Sequence, residues 1–183
     1  MLGNNVRILP ATADDVATIE RIAHETWPDT FGDILSDEQI AYMLHMMYRP
    51  EALRQQMADG HVFHLLLAVD ENVTSDYFGR SRRFRAVGYV SHEMDQAPGA
   101  TKIHKLYVLP NMQGRGLGRK LIDKVESIAT RSGQLALKLD VNYQNPAIEF
   151  YERLGFEKVE RYDTNIGQDF VMQDWRMVKL LKG

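Results

Sequence analysis

Apolar residues recur along this chain with two different periods, and the switches between them mark out the elements. Val6 to Leu9 reads as a short strand ended by Pro10. Val16, Ile19, Ile22, Ala23 and Thr26 then follow helical spacing behind Thr12, a capping residue, with Asp14 and Asp15 placed to oppose the helix dipole. Because a residue before proline is pushed off helical angles, that helix is expected to stop at Trp27-Pro28. Ser36 and Gln39 form a capping box ahead of a second helical stripe, Ile40, Met43, Leu44 and Met47. A short helix from Glu51 to Met57 follows, ending at Gly60. His61 to Val69 and Phe84 to Glu93 read as strands, with the polar stretch Asp70 to Arg83 as a hairpin loop between them. His61 and His64 should point to opposite faces of their strand and make a poor metal pair.

Ile103 to Leu109 is a further strand, and it runs through Pro110-Asn111 into a glycine-rich turn at the head of an amphipathic helix with Leu117, Leu121, Val125 and Ile128 on one stripe. Leu135 to Val141 is apolar enough for a central strand, a Pro146-led helix carries Ala147, Ile148, Phe150, Tyr151 and Leu154, and two strands, Phe156 to Tyr162 and Asp169 to Leu180, close the chain. This mixed order of strands and helices predicts an α/β or α+β sandwich.

The glycine-rich turn is the first candidate for chemistry. Gly114, Gly116 and Gly118 let the backbone approach a ligand closely, and the unpaired N–H groups of the following helix present the positive end of a dipole. Such a turn binds anions, phosphates above all, and Arg115, Arg119 and Lys120 add positive charge there. Two familiar phosphate motifs fail on spacing. A P-loop needs a hydroxyl after its lysine, where this chain has Leu121, and a dinucleotide turn needs G-x-G-x-x-G, where it has G-R-G-L-G.

Composition narrows the options. At 183 residues the chain is read as one domain over 1–183, and its 44% hydrophobic and 26% charged residues are those of an ordinary globular protein. A net charge of −3 argues against nucleic acid as a partner. With no cysteine, disulfides, thiolate metal sites and a cysteine nucleophile are all excluded. No apolar run is long enough to cross a bilayer, so no membrane association and a cytoplasmic location are expected.

Two motifs together carry a resemblance. Gln113 to Gly118 after one strand, and N145-P-A-I-E-F-Y-E-R-L-G-F156 after the next, resemble the paired signatures of the GNAT superfamily of N-acetyltransferases. Upstream, E25-T-W-P-D-T-F31, and near the end G167-Q-D-F-V-M-Q-D-W175, are similar to the bacterial PaiA-type polyamine acetyltransferases.

The resemblance implies the GNAT fold: a mixed, mostly antiparallel central sheet with a splayed parallel strand pair and helices on both faces. It implies acetyl-CoA as co-substrate and no metal. Leu106, Tyr107 and Val108 would offer backbone to the pantetheine and thioester, Gln113 to Gly118 (including Leu117) with Arg119 would hold the pyrophosphate, and Asn145 the pantetheine arm. Tyr151 would protonate the departing thiolate. His104 stands where many relatives place a glutamate, so it becomes the candidate base, with Glu93 and His92 next. The acetyl group would pass directly to an amine.

Trp27 to Asp33 is either an aromatic-anchored connection or a substrate wall. In the second case Trp27, Asp29, Phe31 and Asp33, together with Glu93, would form an acidic mouth for a small amine such as a polyamine. Acetylation of a protein N-terminus or lysine, and a non-catalytic acetyl-CoA sensor, are the alternatives. Either a monomer or a homodimer is compatible with the sequence.

Overall fold

The computed structural model describes residues 6–69 and 84–182, and the loop expected at Asp70 to Arg83 lies outside the described residues. The chain runs β1 (Val6–Pro10), α1 (Val16–Phe31), α2 (Asp37–Tyr48), α3 (Pro50–Ala58), β2 (Val62–Val69), β3 (Phe84–Ala97) and β4 (Ala100–Val108). It continues α4 (Leu117–Arg131), β5 (Ala136–Asn142), α5 (Ala147–Arg153), β6 (Glu157–Gly167) and β7 (Phe170–Leu180). The strands form one mixed sheet in the order β1-β2-β3-β4-β5-β7-β6. Every neighbouring pair is antiparallel except β4 with β5. Among the described residues no helix is long and apolar enough to cross a membrane.

α1 does not stop at Trp27-Pro28; it continues through Pro28 to Phe31. Proline inside a helix costs about 3 kcal/mol through the lost hydrogen bond and ring clash. Trp27, 2% exposed, packs its ring 4.6 Å from Phe31, 5.6 Å from Tyr48 and 6.2 Å from Tyr107. Burying an aromatic of that size contributes about 4–6 kcal/mol, so tertiary packing outweighs the local rule. The segment expected to be a loop is therefore the last turn of a helix, and Trp27 is core.

The two faces of the sheet carry different cores. Leu117, Leu121, Ile122, Val125 and Ala129 bury one stripe of α4 on one face. Tyr48, Tyr89 and Tyr107 pack beneath α1 and α2 on the other. His61 and His64 part as strand alternation requires: His64 stacks on His92, near Lys124 of α4, while His61 stacks on His104.

Two irregularities meet in the middle of the sheet. β4 pairs with β5 only from Ala100↔Ala136 to Ile103↔Leu139, although each strand stays bonded to its outer neighbour well beyond. At the same point β4 carries a bulge: Lys105 pairs with Ser91 and Ile103 with His92, leaving His104 as the extra residue. A bulge bends its strand, and this one lies where β4 leaves β5.

Gly88 of β3 sits against the far end of β4, where a Cβ would meet the Tyr107 carbonyl oxygen at 2.6 Å and the Val108 Cα at 3.2 Å. Gly88→Ala is expected to lower stability by about 1–3 kcal/mol, because backbone must move to admit the methyl. Urea denaturation followed by fluorescence would measure it.

Candidate acyl-transfer site

Past the last β4–β5 pair a cavity of about 660 Å³ opens, bordered on one side by every residue from Ile103 to Val108 and on the other by Leu139 to Asn142. Successive residues of a strand point to opposite faces. A cavity bordered by six in a row therefore lies along the strand's edge and passes through the sheet.

At one end stands the glycine-rich loop. Gly114 and Gly116 adopt φ of 73° and 72°, left-handed values that a side chain would strain, and both border the cavity. Gly118 serves differently: a Cβ there would come within 3.2 Å of Phe150, so its smallness lets α4 approach α5. The first turn of α4 turns free N–H groups toward the loop, since its backbone bonding starts with Lys120 to Gly116. Leu117 also borders the cavity. The Gln113 side chain is committed elsewhere, its Nε2 donating to the Val108 carbonyl at 3.0 Å and tying the loop to the end of β4.

α5 supplies Asn145 and Tyr151 at its start and middle. Asn145 Oδ1 accepts the Ala147 N–H at 2.9 Å at the start of the helix and leaves the amide nitrogen as a donor for a ligand. Tyr151 is buried with its ring edge-on to Phe150 and Phe156, and burial pushes its hydroxyl up to about 12, so it keeps its proton throughout the working pH range.

The other end is walled by α1 and α2 through Trp27, Phe31, Met43 and Met47, with Asp29 at the rim. His104 borders it, and its Nε2 lies 2.9 Å from Glu93 Oε2. Burial and the neighbouring His61 lower His104, keeping it neutral near pH 7. A neutral ring facing a carboxylate donates from Nε2 and keeps Nδ1 as an acceptor. The ligating atoms of His61, Glu93 and His104 all lie within 4.8 Å of one another. The two rings, however, are stacked at 4.0 Å and 18°, so both cannot aim in-plane lone pairs at one ion without turning.

Several expected residues stand apart. Asp33 is exposed and does not border the cavity. Glu93 reaches it only through His104, and His92 lies on the α4 face. Arg115 reaches back to the Asn111 carbonyl at 3.4 Å, and Arg119 lies in a separate groove with Asp123 and Glu126.

Lys105 and Asp174, which the sequence did not single out, are among the residues that border the cavity. Lys105 follows His104 and would face the opposite way but for the bulge, which no glycine or proline announces. Asp174 of β7, 5% exposed, is pushed up to about 6 by burial and by Asp140. In the sequence it sits between Gln173 and Trp175, near the end of the Gly167 to Trp175 stretch, with nothing local to mark it as buried.

A carboxyl raised in the folded state adds stability below its unfolded value of 3.8, and that contribution is lost as pH rises through about 6. Asp174→Asn should therefore stabilise the protein at pH 8 by up to about 3 kcal/mol and leave it unchanged below pH 4, as read from denaturation midpoints against pH.

Comparison with known proteins agrees with this geometry. The acetyltransferase (GNAT) domain family matches residues 33–177. A spermidine N(1)-acetyltransferase of Thermoplasma acidophilum is 25% identical over 92% of this chain and 96% of its own. An L-methionine sulfoximine/L-methionine sulfone acetyltransferase of Salmonella typhimurium is 32% identical over 51% of this chain and 50% of its own. The crystal structure of the PaiA N-acetyltransferase of Thermoplasma acidophilum in complex with coenzyme A superposes with a TM-score of 0.73 at 22% identity, covering 96% and 98% of the two chains. The chain belongs to the GNAT acetyltransferases and is an acetyl-CoA-dependent N-acetyltransferase.

Proposed function

We propose that the opening between β4 and β5 is the site of acetyl transfer to a small primary amine. The carrying observation is the loss of strand pairing after Ile103↔Leu139, which leaves backbone along Leu106 to Val108 beside a cavity that joins both faces. Acetyl-CoA supplies the activated acetyl thioester. The loop from Gln113 to Gly118 receives its pyrophosphate on free N–H groups, with Arg115 and Arg119 adding charge from outside the cavity. The Asn145 amide donates to the pantetheine arm.

Tyr151 donates a hydrogen bond to the departing sulfur. With its own proton held up to about 12, it releases that proton only as charge builds there. His104, kept neutral and oriented by Glu93, takes the proton of the acceptor ammonium through Nδ1. A free lysine-like amine, with a pKa of ~10.4, needs such help at neutral pH.

The acceptor enters between α1 and α2, against Trp27 and Phe31. The spermidine relative and the rim carboxylate Asp29 support a polyamine. The wider acidic mouth does not form, because Asp33 faces solvent and Glu93 is bonded to His104.

Release of CoA thiol, assayed with a panel of polyamines, amino acids and peptides, tests the reading. Amine-dependent release is expected, and acetyl-CoA binding without any such release would favour a sensor. Tyr151→Phe should lower kcat by about 10²–10⁴ and barely move the Kd for acetyl-CoA, as measured by calorimetry.

A further inference from the structure

Lys105 is 8% exposed and borders the cavity from the centre of β4. Its Nζ lies 5.4 Å from the centre of the Tyr48 ring. Among the described residues no carboxylate comes within 4.0 Å of it. The nearby acids are already engaged: Glu93 with His104 at 2.9 Å, and Asp140 with Lys102 at 2.7 Å and Arg176 at 3.1 Å. Burial, then the charge on Lys102, lowers Lys105 to about 8, which is the mark of an ammonium without a counter-ion. Trp27, edge-on to the same Tyr48 ring, also borders the cavity, its buried indole N–H turned toward the Tyr48 and Tyr107 hydroxyls.

The opposite imbalance exists in the same cavity. Asp174 borders it too, 5% exposed, with no cation within 4.0 Å among the described residues. The buried Lys105 ammonium, unpaired and facing the cavity, is complementary to a carboxylate. Met43, Met47 and Phe31 supply apolar wall beside them.

We infer that the acceptor is an amino acid with an apolar side chain, its carboxylate held by Lys105. This rests on the acyl-transfer reading above. A polyamine would offer ammonium groups to Asp174 but nothing to Lys105.

The test uses the full chain and compares L-methionine, L-leucine and L-phenylalanine with their amides and with spermidine, by CoA thiol release. The acids are expected to exceed their amides at least tenfold in kcat/KM. Lys105→Met should erase that preference, chiefly through KM, and Lys105→Arg should restore part of it. Lys105→Met exchanges a desolvated charge for an apolar side chain of similar length, so its melting temperature should match or exceed that of the wild type. Preference for the amides or spermidine, or an acid preference that survives Lys105→Met, overturns the inference and leaves acyl transfer intact. If no amine of any class releases CoA, the acyl-transfer reading fails instead. Calorimetry of L-leucine against L-leucinamide on the CoA-bound protein then decides the Lys105 site, and equal binding of the two overturns it.

Discussion

The sheet depends on a divided obligation in its centre. β4 must satisfy β3 as far as Val108, and β5 must satisfy β7 as far as Asn142, yet the two can satisfy each other only up to Ile103 and Leu139. The bulge at His104 falls one residue past the last shared pair. One extra residue bends β4 and raises its local twist, which is enough to carry it away from a straight parallel partner. Backbone groups inside a protein need partners, so a gap of this kind is costly unless solvent or a ligand occupies it.

The same bulge sets the electrostatics around the gap. Strand alternation would put His104 and Lys105 on opposite faces; with the extra residue both face α1 and α2, His104 against Glu93 and Lys105 over Tyr48. The imidazole and the ammonium are therefore desolvated side by side, and each is made easier to deprotonate. The proposed base and the proposed specificity residue would share one backbone defect.

The strand–glycine loop–helix unit and the Asn145-Pro146 helix were plain in the sequence because their signals are local: left-handed glycines, a helix start, an apolar stripe. The GNAT fold followed from those two units in that order. What could not be read depended on partners far along the chain. Nothing near Pro28 tells that Tyr48 and Tyr107 wait to bury the indole beside it and hold the helix together. A bulge depends on register between two strands, so nothing near Lys105 marks it as a cavity residue. Asp174 needed the position of β7 relative to β5.

Where β4 and β5 part, the sheet acquires two edges in its interior. Edge strands attract other strands, since unpaired N–H and C=O groups are a template for more backbone, and proteins commonly cover or charge them. Here residues of α1, α2 and α5 border the opening. Any occupant that fills the gap well should itself alternate amide donors and acceptors, as a short peptide or the pantetheine arm of coenzyme A does. The amides of β4 beyond Ile103 that face β5 should then exchange with solvent hydrogen far faster than their central position suggests, and slow down once such a guest completes the sheet.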